Sequence, residues 1–249
     1  MARTLGEKIE QAVSTRRLLE SAGQNIALLL EGATSPLYAQ VVTELVEADA
    51  WDELNDRFYK TLTFGTGGLR GRTIGKVVTA AERGTPDELG RPEFPCVGTN
   101  AMNFYNISRA TQGLVAYLHA WFLNERIAGK PKIVIAHDTR HFSREFTELT
   151  ARVAAENGCD AYVFDGPRST PELSFAVRQL RASAGIVITA SHNPPHDNGY
   201  KVYFDEGAQV VEPHASGIIA KVNLVAGENY EARGSDSAGE VITLGSEID

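Results

Sequence analysis

The chain has 249 residues, 43% of them apolar and 22% charged, which allows one large or two small folded domains and excludes wholesale disorder. A formal net charge of −8 excludes a general nucleic-acid binder, since no basic excess holds a phosphate backbone. No apolar run reaches membrane-spanning length or forms a signal core, and a small phosphorylated ligand needs only a few local cations.

Residues 1–60 read as helical and polar. Leu18, Leu19, Ile26, Leu28, Leu29 and Leu30 supply apolar positions, and Tyr38, Val41, Val42, Leu45, Val46, Trp51, Leu54 and Phe58 continue a spacing of three to four. This is the pattern of an amphipathic packing extension, with Asp49 expected to cap its second part. The pattern breaks at Phe64-Gly-Thr-Gly-Gly-Leu-Arg-Gly-Arg, four glycines and two arginines in nine residues. Residues 75–100, with Gly84, Pro86, Gly90, Pro92, Pro95 and Gly98, read as a long loop or insertion.

From Asn103 the pattern becomes α/β. Ile107, Ala110, Leu114, Leu118, Trp121 and Phe122 mark a long helix ended by Gly129 and Pro131. Lys132-Ile-Val-Ile-Ala, Ala161-Tyr-Val-Phe and Gly185-Ile-Val-Ile-Thr read as strands. Between them lie one helix expected to be capped by Ser143 and closed by Gly158, and another opened by Thr170-Pro171. Near-continuous apolar strands alternating with helices predict a three-layer α/β/α domain with a mixed, mostly parallel sheet, plus an N-terminal helical extension. A short helical run over Ile218, Ile219, Val222 and Leu224 follows, and Val241-Ile-Thr-Leu is a candidate last strand. The expected organisation is 1–55 helical extension, 56–212 α/β/α domain, and 213–249 linker toward a further domain.

Thr189-Ala-Ser-His-Asn-Pro-Pro follows the third apolar strand, where an open α/β sheet places its chemistry. Ser191 is therefore a candidate nucleophile or phosphate carrier, although no base adjoins it as in a hydrolase, and Ala190 and Asn193 replace the glycines of a GxSxG elbow. Asn198-Gly199 reads as a hairpin signal in which both residues take positive φ. The strand after it puts Tyr200, Val202 and Phe204 on one face and Lys201 and Tyr203 on the other. Lys201 is either a cation or acid/base facing a cleft or an edge-strand gatekeeper. Gly65–Gly71 with Arg70 is either an anion-binding nest or a plain tight turn. The pairs His137/His141 and His192/His196 lack zinc-site context, and Asp138 and Arg140 are expected to pair and brace their loop. Cys96 and Cys159 form no CxxC pair and read as reduced thiols, so a soluble cytoplasmic protein is expected.

These residues resemble the α-D-phosphohexomutases, the family of phosphoglucomutase and phosphomannomutase. Thr189-Ala-Ser-His-Asn-Pro-Pro resembles that family's phosphoserine loop, Asp197-Asn-Gly-Tyr-Lys the segment after it, and Phe64-Gly-Thr-Gly-Gly-Leu-Arg-Gly the motif of its first domain. Asp52-Glu-Leu-Asn-Asp-Arg-Phe resembles the N-terminal extension of the branch with phosphoglucomutase-2 and phosphopentomutase-like enzymes. The resemblance spans residues 50–210, and residues 75–98 look longer than the family's usual connection there.

The resemblance implies an isomerase, an intramolecular phosphotransferase of carbohydrate metabolism. Ser191 would be the phosphoserine and a Mg²⁺ ligand. Lys201 and Arg70 would lie beside its phosphate as general acid/base or electrostatic support, and His192 and Asn193 would line the same phosphosugar pocket. A glucose or mannose 1-phosphate would pass through a bisphosphate to the 6-phosphate, chemistry that rests on positioning and charge neutralisation. The family has four domains, and this sequence lacks the Asp-Gly-Asp-x-Asp-Arg loop that supplies its other Mg²⁺ ligands. A lone serine oxygen does not satisfy a hard cation that takes about six oxygens. The expectation is the first domain of a mutase, inactive alone, whose partners are a phosphorylated sugar and the missing domains of its parent chain, with no nucleic acid and no membrane. The alternative is a non-catalytic phosphosugar-binding or regulatory domain that kept the serine loop.

Overall fold

The computed structural model describes residues 3–245 and 248; positions 1, 2, 246, 247 and 249, the ends of the expected domain ranges, lie outside the described residues. The chain forms two compact units, one of Met1–Leu62, Gly71–Asn106 and Gly227–Asn229, the other of Thr63–Arg70, Ile107–Ala226 and Tyr230–Asp249.

In the first unit the apolar spacing of the N-terminal region resolves into four helices: α1 (Leu5–Ser14), α2 (Glu20–Glu31), α3 (Leu37–Glu47) and α4 (Trp51–Phe58). Thr4 and Glu7 open α1 with a reciprocal capping box. Ile26, Leu29, Val41, Val42, Leu45, Leu54 and Phe58 are fully or almost fully buried in one core. Each such side chain contributes about 1.5–3 kcal/mol relative to exposure. Asp49 does not cap α4. The cap position is Ala50, and the Asp49 carboxylate instead accepts from the Trp51 indole Nε1 at 3.0 Å.

The Gly/Pro-rich stretch read as a loop contains α5 (Ala80–Arg83), opened by a Thr79–Glu82 capping box. Glu82 is buried because Arg57, also buried, pairs with it. Arg57 Nε further donates to Glu53 Oε1 at 2.8 Å, and Val97 N to Glu82 Oε1 at 2.8 Å. Charged side chains thus hold the stretch in place, a signal invisible in its turn-forming composition.

The second unit holds a six-stranded sheet of β1 (Gly68–Arg72), β2 (Lys132–His137), β3 (Asp160–Phe164), β4 (Ala184–Ile188), β5 (Asp197–Phe204) and β6 (Val241–Leu244), in the order β1-β5-β4-β2-β3-β6. The first three residues of β1 belong to this unit. β2 runs parallel to β3 and β4, β6 parallel to β3, and β5 antiparallel to β4. β2 and β4 are apolar runs because both their faces are covered. The helices are α6 (Phe104–Asn124), α7 (Ser143–Glu156), α8 (Thr170–Gln179) and α9 (His214–Asn223). On one face Leu173, Ala176 and Val177 of α8 pack with Val134, Ala136 and Val187 of the sheet. On the other, α6 meets β5, with Thr111 Oγ1 3.2 Å from Tyr200 Oη and the Trp121 and Phe204 rings 4.8 Å apart. His119 of α6 reaches the Asn157 carbonyl at the end of α7. This is the expected α/β/α fold with a mixed, mostly parallel sheet, and β6 supplies an edge strand from the stretch expected to be linker.

Two caps fall one residue earlier than expected. Phe142, in the left-handed region at φ 64°, precedes α7, and Ser143 is its first helical residue. Ser169 caps α8, with Glu172 closing the capping box, and Thr170 and Pro171 are the first helical positions. Among the described residues no helix is long and apolar enough to cross a membrane.

Candidate active site

The three apolar strands at the centre of the sheet end together. Asp138 follows β2, and its N–H donates to the carbonyl of Ile188, the last residue of β4, carrying the pairing one step past the end of β2. Thr189 N donates to the Gly199 carbonyl at 3.0 Å, so β4 and β5 stay paired until the chain leaves the sheet. Ala190 is buried and Ser191 exposed. The side chain thus emerges at the carboxyl end of a parallel strand, the position where open α/β sheets bind ligands.

Ser191 has φ 58° in the left-handed region, a conformation that costs a non-glycine residue energy and persists only where the surroundings enforce it. The enforcing contacts are specific. Ser191 N donates to Thr189 Oγ1 at 3.0 Å, and Thr189 Oγ1 donates to Asp138 Oδ2 at 2.5 Å. Arg140 Nη2 donates to the Ser191 carbonyl at 2.6 Å, and Nη1 to the carbonyls of Pro194 at 2.6 Å and Asp197 at 3.3 Å. Arg140 Nε pairs with Asp138 Oδ2 at 3.1 Å, the expected brace. Asp138 Oδ1 also accepts from Arg140 N at 2.9 Å and Ser143 Oγ at 2.7 Å. Sequence reasoning treated Asp138–Arg140 as a local brace. Its reach onto the serine loop crosses about fifty positions and had no local signal.

Asn198-Gly199 is not the hairpin turn. Both residues lie within β5, neither with positive φ, and the connection from β4 is the longer loop beginning at Thr189. Asn198 is fully buried and donates to Ser143 Oγ at 2.9 Å and the His141 carbonyl at 3.1 Å. A Cβ on Gly199 would stand 2.6 Å from the Thr189 carbonyl oxygen, so only glycine allows this approach.

Lys201 is not on an edge strand, since β5 lies between β1 and β4. It sits opposite Val187 on the α8 face. Burial, then the neighbouring Arg70 charge and that of Arg140, hold its ammonium below the ordinary lysine range, with Asp138 opposing. The glycine segment makes a tight turn: Gly65 N donates to the Gly68 carbonyl at 2.9 Å and Gly68 N to the Gly65 carbonyl at 3.1 Å. Those two N–H groups are therefore used inside the turn and present no nest. The exposed Arg70 follows one residue later, after the buried Leu69.

His192 Nδ1 is 3.5 Å from Ser191 Oγ. Asn193 Nδ2 turns into the loop and donates to Asp197 Oδ2 at 3.0 Å. The arrangement is an exposed hydroxyl on a loop braced by Arg140, with the cations Arg70 and Lys201 on the flanking strands and a histidine beside it. Such a set binds an anion and stabilises charge on a group attached to the hydroxyl. Asp138, whose oxygens are taken by Thr189, Ser143 and Arg140, is committed to the brace. Among the described residues no group of three or more His, Cys, Asp or Glu is arranged to hold a metal ion.

The sequence model of the family described as phosphoglucomutase/phosphomannomutase, alpha/beta/alpha domain I, matches residues 96–226. The chain is 39% identical over 170 residues to a phosphoglucomutase of Staphylococcus aureus strain RF122, covering 68% of this chain and 26% of that one. It is 33% identical over 192 residues to the phosphoribomutase of Saccharomyces cerevisiae, covering 76% and 26%. It thus spans about a quarter of the length of these curated relatives. In fold alone it resembles the crystal structure of the exocytosis-sensitive phosphoprotein pp63/parafusin, a phosphoglucomutase from Paramecium, with a TM-score of 0.51 and 21% identity over 75% of this chain and 33% of the other.

Proposed function

The chain belongs to the phosphoglucomutase/phosphomannomutase family, and from that premise we propose that it is the phosphoserine-bearing first domain of a mutase interconverting hexose 1- and 6-phosphates. The observation that carries this reading is the exposed Ser191 hydroxyl, held in left-handed backbone at the carboxyl end of β4 by Thr189 and Arg140. The brace fixes that backbone and presents the oxygen outward, as a residue that serves two successive substrates requires.

In this reading Ser191 carries the transferable phosphoryl group. In the first half-reaction the bond from phosphorus to Ser191 Oγ breaks as one to a sugar hydroxyl forms; the hydroxyl's proton passes to solvent and Lys201 gives one to Oγ. In the second, the bond from the other phosphorus to its sugar oxygen breaks as one to Ser191 Oγ forms; Lys201 takes the Oγ proton and the released sugar oxygen takes one from solvent. The lowered proton affinity of Lys201 suits both duties. Arg70 neutralises phosphoryl charge and His192 lines the pocket, while Asn193, turned into the loop onto Asp197, supports the loop from within. Residues 56–212 carry most of this domain, 1–55 extend it, and α9 and β6 within 213–249 complete it.

The family generally uses Mg²⁺, which neutralises charge on the transferring group when bound. The residues here do not make that site alone. Ser191 offers one hard oxygen, the side chains beside it are cations, and Asp138 is committed to its three partners. We assign the remaining ligands, and the groups that read the sugar, to further domains of a parent protein. The free, buried thiols Cys96 and Cys159 fit a reducing cytoplasm, where we place it.

The test is intact-mass analysis of the parent protein after incubation with glucose 1,6-bisphosphate. One phosphoryl increment mapping to Ser191, lost together with turnover in Ser191→Ala, is expected. Turnover surviving that substitution would overturn the mutase mechanism, and an increment without turnover would favour the regulatory alternative. The 249-residue chain by itself is expected to turn over no hexose phosphate.

A further inference from the structure

We infer that Arg140 is a positioning residue for phosphoryl transfer at Ser191: its guanidinium clamps the serine loop by the carbonyls of Ser191, Pro194 and Asp197 while Asp138 holds the guanidinium, and it places a fixed positive charge toward Lys201. The inference rests on the mutase reading of Ser191 and deepens it, assigning work to a residue that touches neither the sugar nor the transferring group.

The geometry requires an arginine. Four of the five guanidinium N–H donors are used, in three directions: Nε to Asp138 Oδ2, Nη1 to two carbonyls of the loop's far side, and Nη2 to the carbonyl of Ser191 itself. A lysine has the charge but one nitrogen, and does not span the Ser191 and Pro194 carbonyls and Asp138 in this planar arrangement. The side chain is only 12% exposed, so these partners are not exchanged readily for water. Asp138 links the clamp to the serine a second time, through Thr189 Oγ1 and its bond from Ser191 N. The two routes meet on Ser191, whose backbone is in the left-handed region. Removing the clamp frees Ser191 to relax toward ordinary backbone, which turns Oγ away from its presented position. Transfer between fixed oxygens is sensitive to such movement, since a shift near 1 Å costs on the order of 100-fold in rate.

The charge is a separate contribution. The groups facing Lys201 are Arg70, Arg140 and Asp138, and the two arginines both disfavour its protonated form. Substituting Arg140 by a neutral residue therefore raises the Lys201 proton affinity, while substituting it by lysine retains the charge and removes the clamp. The two roles separate in the two variants.

The experiment measures mutase turnover of the parent protein against pH for Arg140→Lys, Arg140→Gln, Asp138→Asn and Ser191→Ala, with thermal midpoints and circular dichroism as folding controls. Arg140→Lys is expected to lower kcat about 100-fold with KM within about 3-fold of the original, at an unchanged pH profile. Arg140→Gln is expected to lose as much and also to move the basic limb of the profile upward. Asp138→Asn, which loosens the same clamp without touching Arg140, keeps the test available should Arg140→Gln fail to fold, and is expected to be non-additive with Arg140→Lys. Arg140→Lys turning over within about 3-fold of the original, or losing activity only in proportion to its folded fraction, would overturn the inference. If Ser191→Ala is dead and Arg140→Lys is normal, the mutase reading stands and only the clamp fails; if Ser191→Ala turns over, the mutase reading itself fails.

Discussion

The positive charge of Arg70 acts on the ammonium of Lys201, and after burial it is the strongest influence holding that ammonium below the ordinary lysine range. A lysine with depressed native proton affinity costs the folded state most when it is charged. That cost is complete below the native pKa and disappears as pH rises toward the unfolded value of about 10.4. Lys201→Met should therefore raise the thermal midpoint at pH 7 relative to its effect near pH 10. An offset that is the same at both pH values would contradict the assignment.

At Gly68, φ is 128° and an added Cβ would collide with the Tyr200 carbonyl oxygen. Gly67 O, next to it, accepts from Val202 N at 3.2 Å, so the turn is pressed against β5. Gly68→Ala must move β1 or β5, and we expect a loss of about 2–4 kcal/mol in urea unfolding, well beyond an ordinary surface substitution. A loss under about 0.5 kcal/mol would show that the close approach is dispensable.

In the helical unit, Arg57 is buried between Glu53 and Glu82 with its Nη1 also 3.2 Å from the Val97 carbonyl. Arg57→Met leaves the buried Glu82 carboxylate without its cation and Glu53 with Arg72 alone, and a loss of about 3–5 kcal/mol is expected. Replacing all three residues by apolar ones of similar size should cost less than the single change, because no charge is left without a partner. Urea unfolding of the two variants distinguishes them, and a triple variant weaker than the single one would refute the account.

The sheet was legible because its central strands are buried on both faces. Lys132–His137 and Ala184–Ile188 are apolar runs for that reason, and the serine loop followed from the second of them. What escaped was set by contacts distant in sequence. Asn198-Gly199 has the composition of a turn, yet Asn198 spends its side chain on Ser143 and His141, and Gly199 is needed for its closeness to Thr189. Ser143 looks like a cap, but Asp138 and Asn198 claim its hydroxyl, and Phe142 takes the cap position. The Gly/Pro content of residues 75–100 concealed Glu82, whose partner Arg57 lies on another helix. The Arg140 clamp likewise joins two strand ends that only the folded sheet brings together.

Because β5 returns antiparallel from the serine loop, Lys201 is located by its rung opposite Val187 and not by the number of residues in the loop. Lengthening the 192–196 connection would leave the amine where it is, whereas slipping β5 by a single position would turn it to the α6 side and bring Tyr200 or Val202 in its stead. The ladder thus acts as a ruler for the position of the amine: the loop's tip can be redrawn at will, provided the strand is never miscounted.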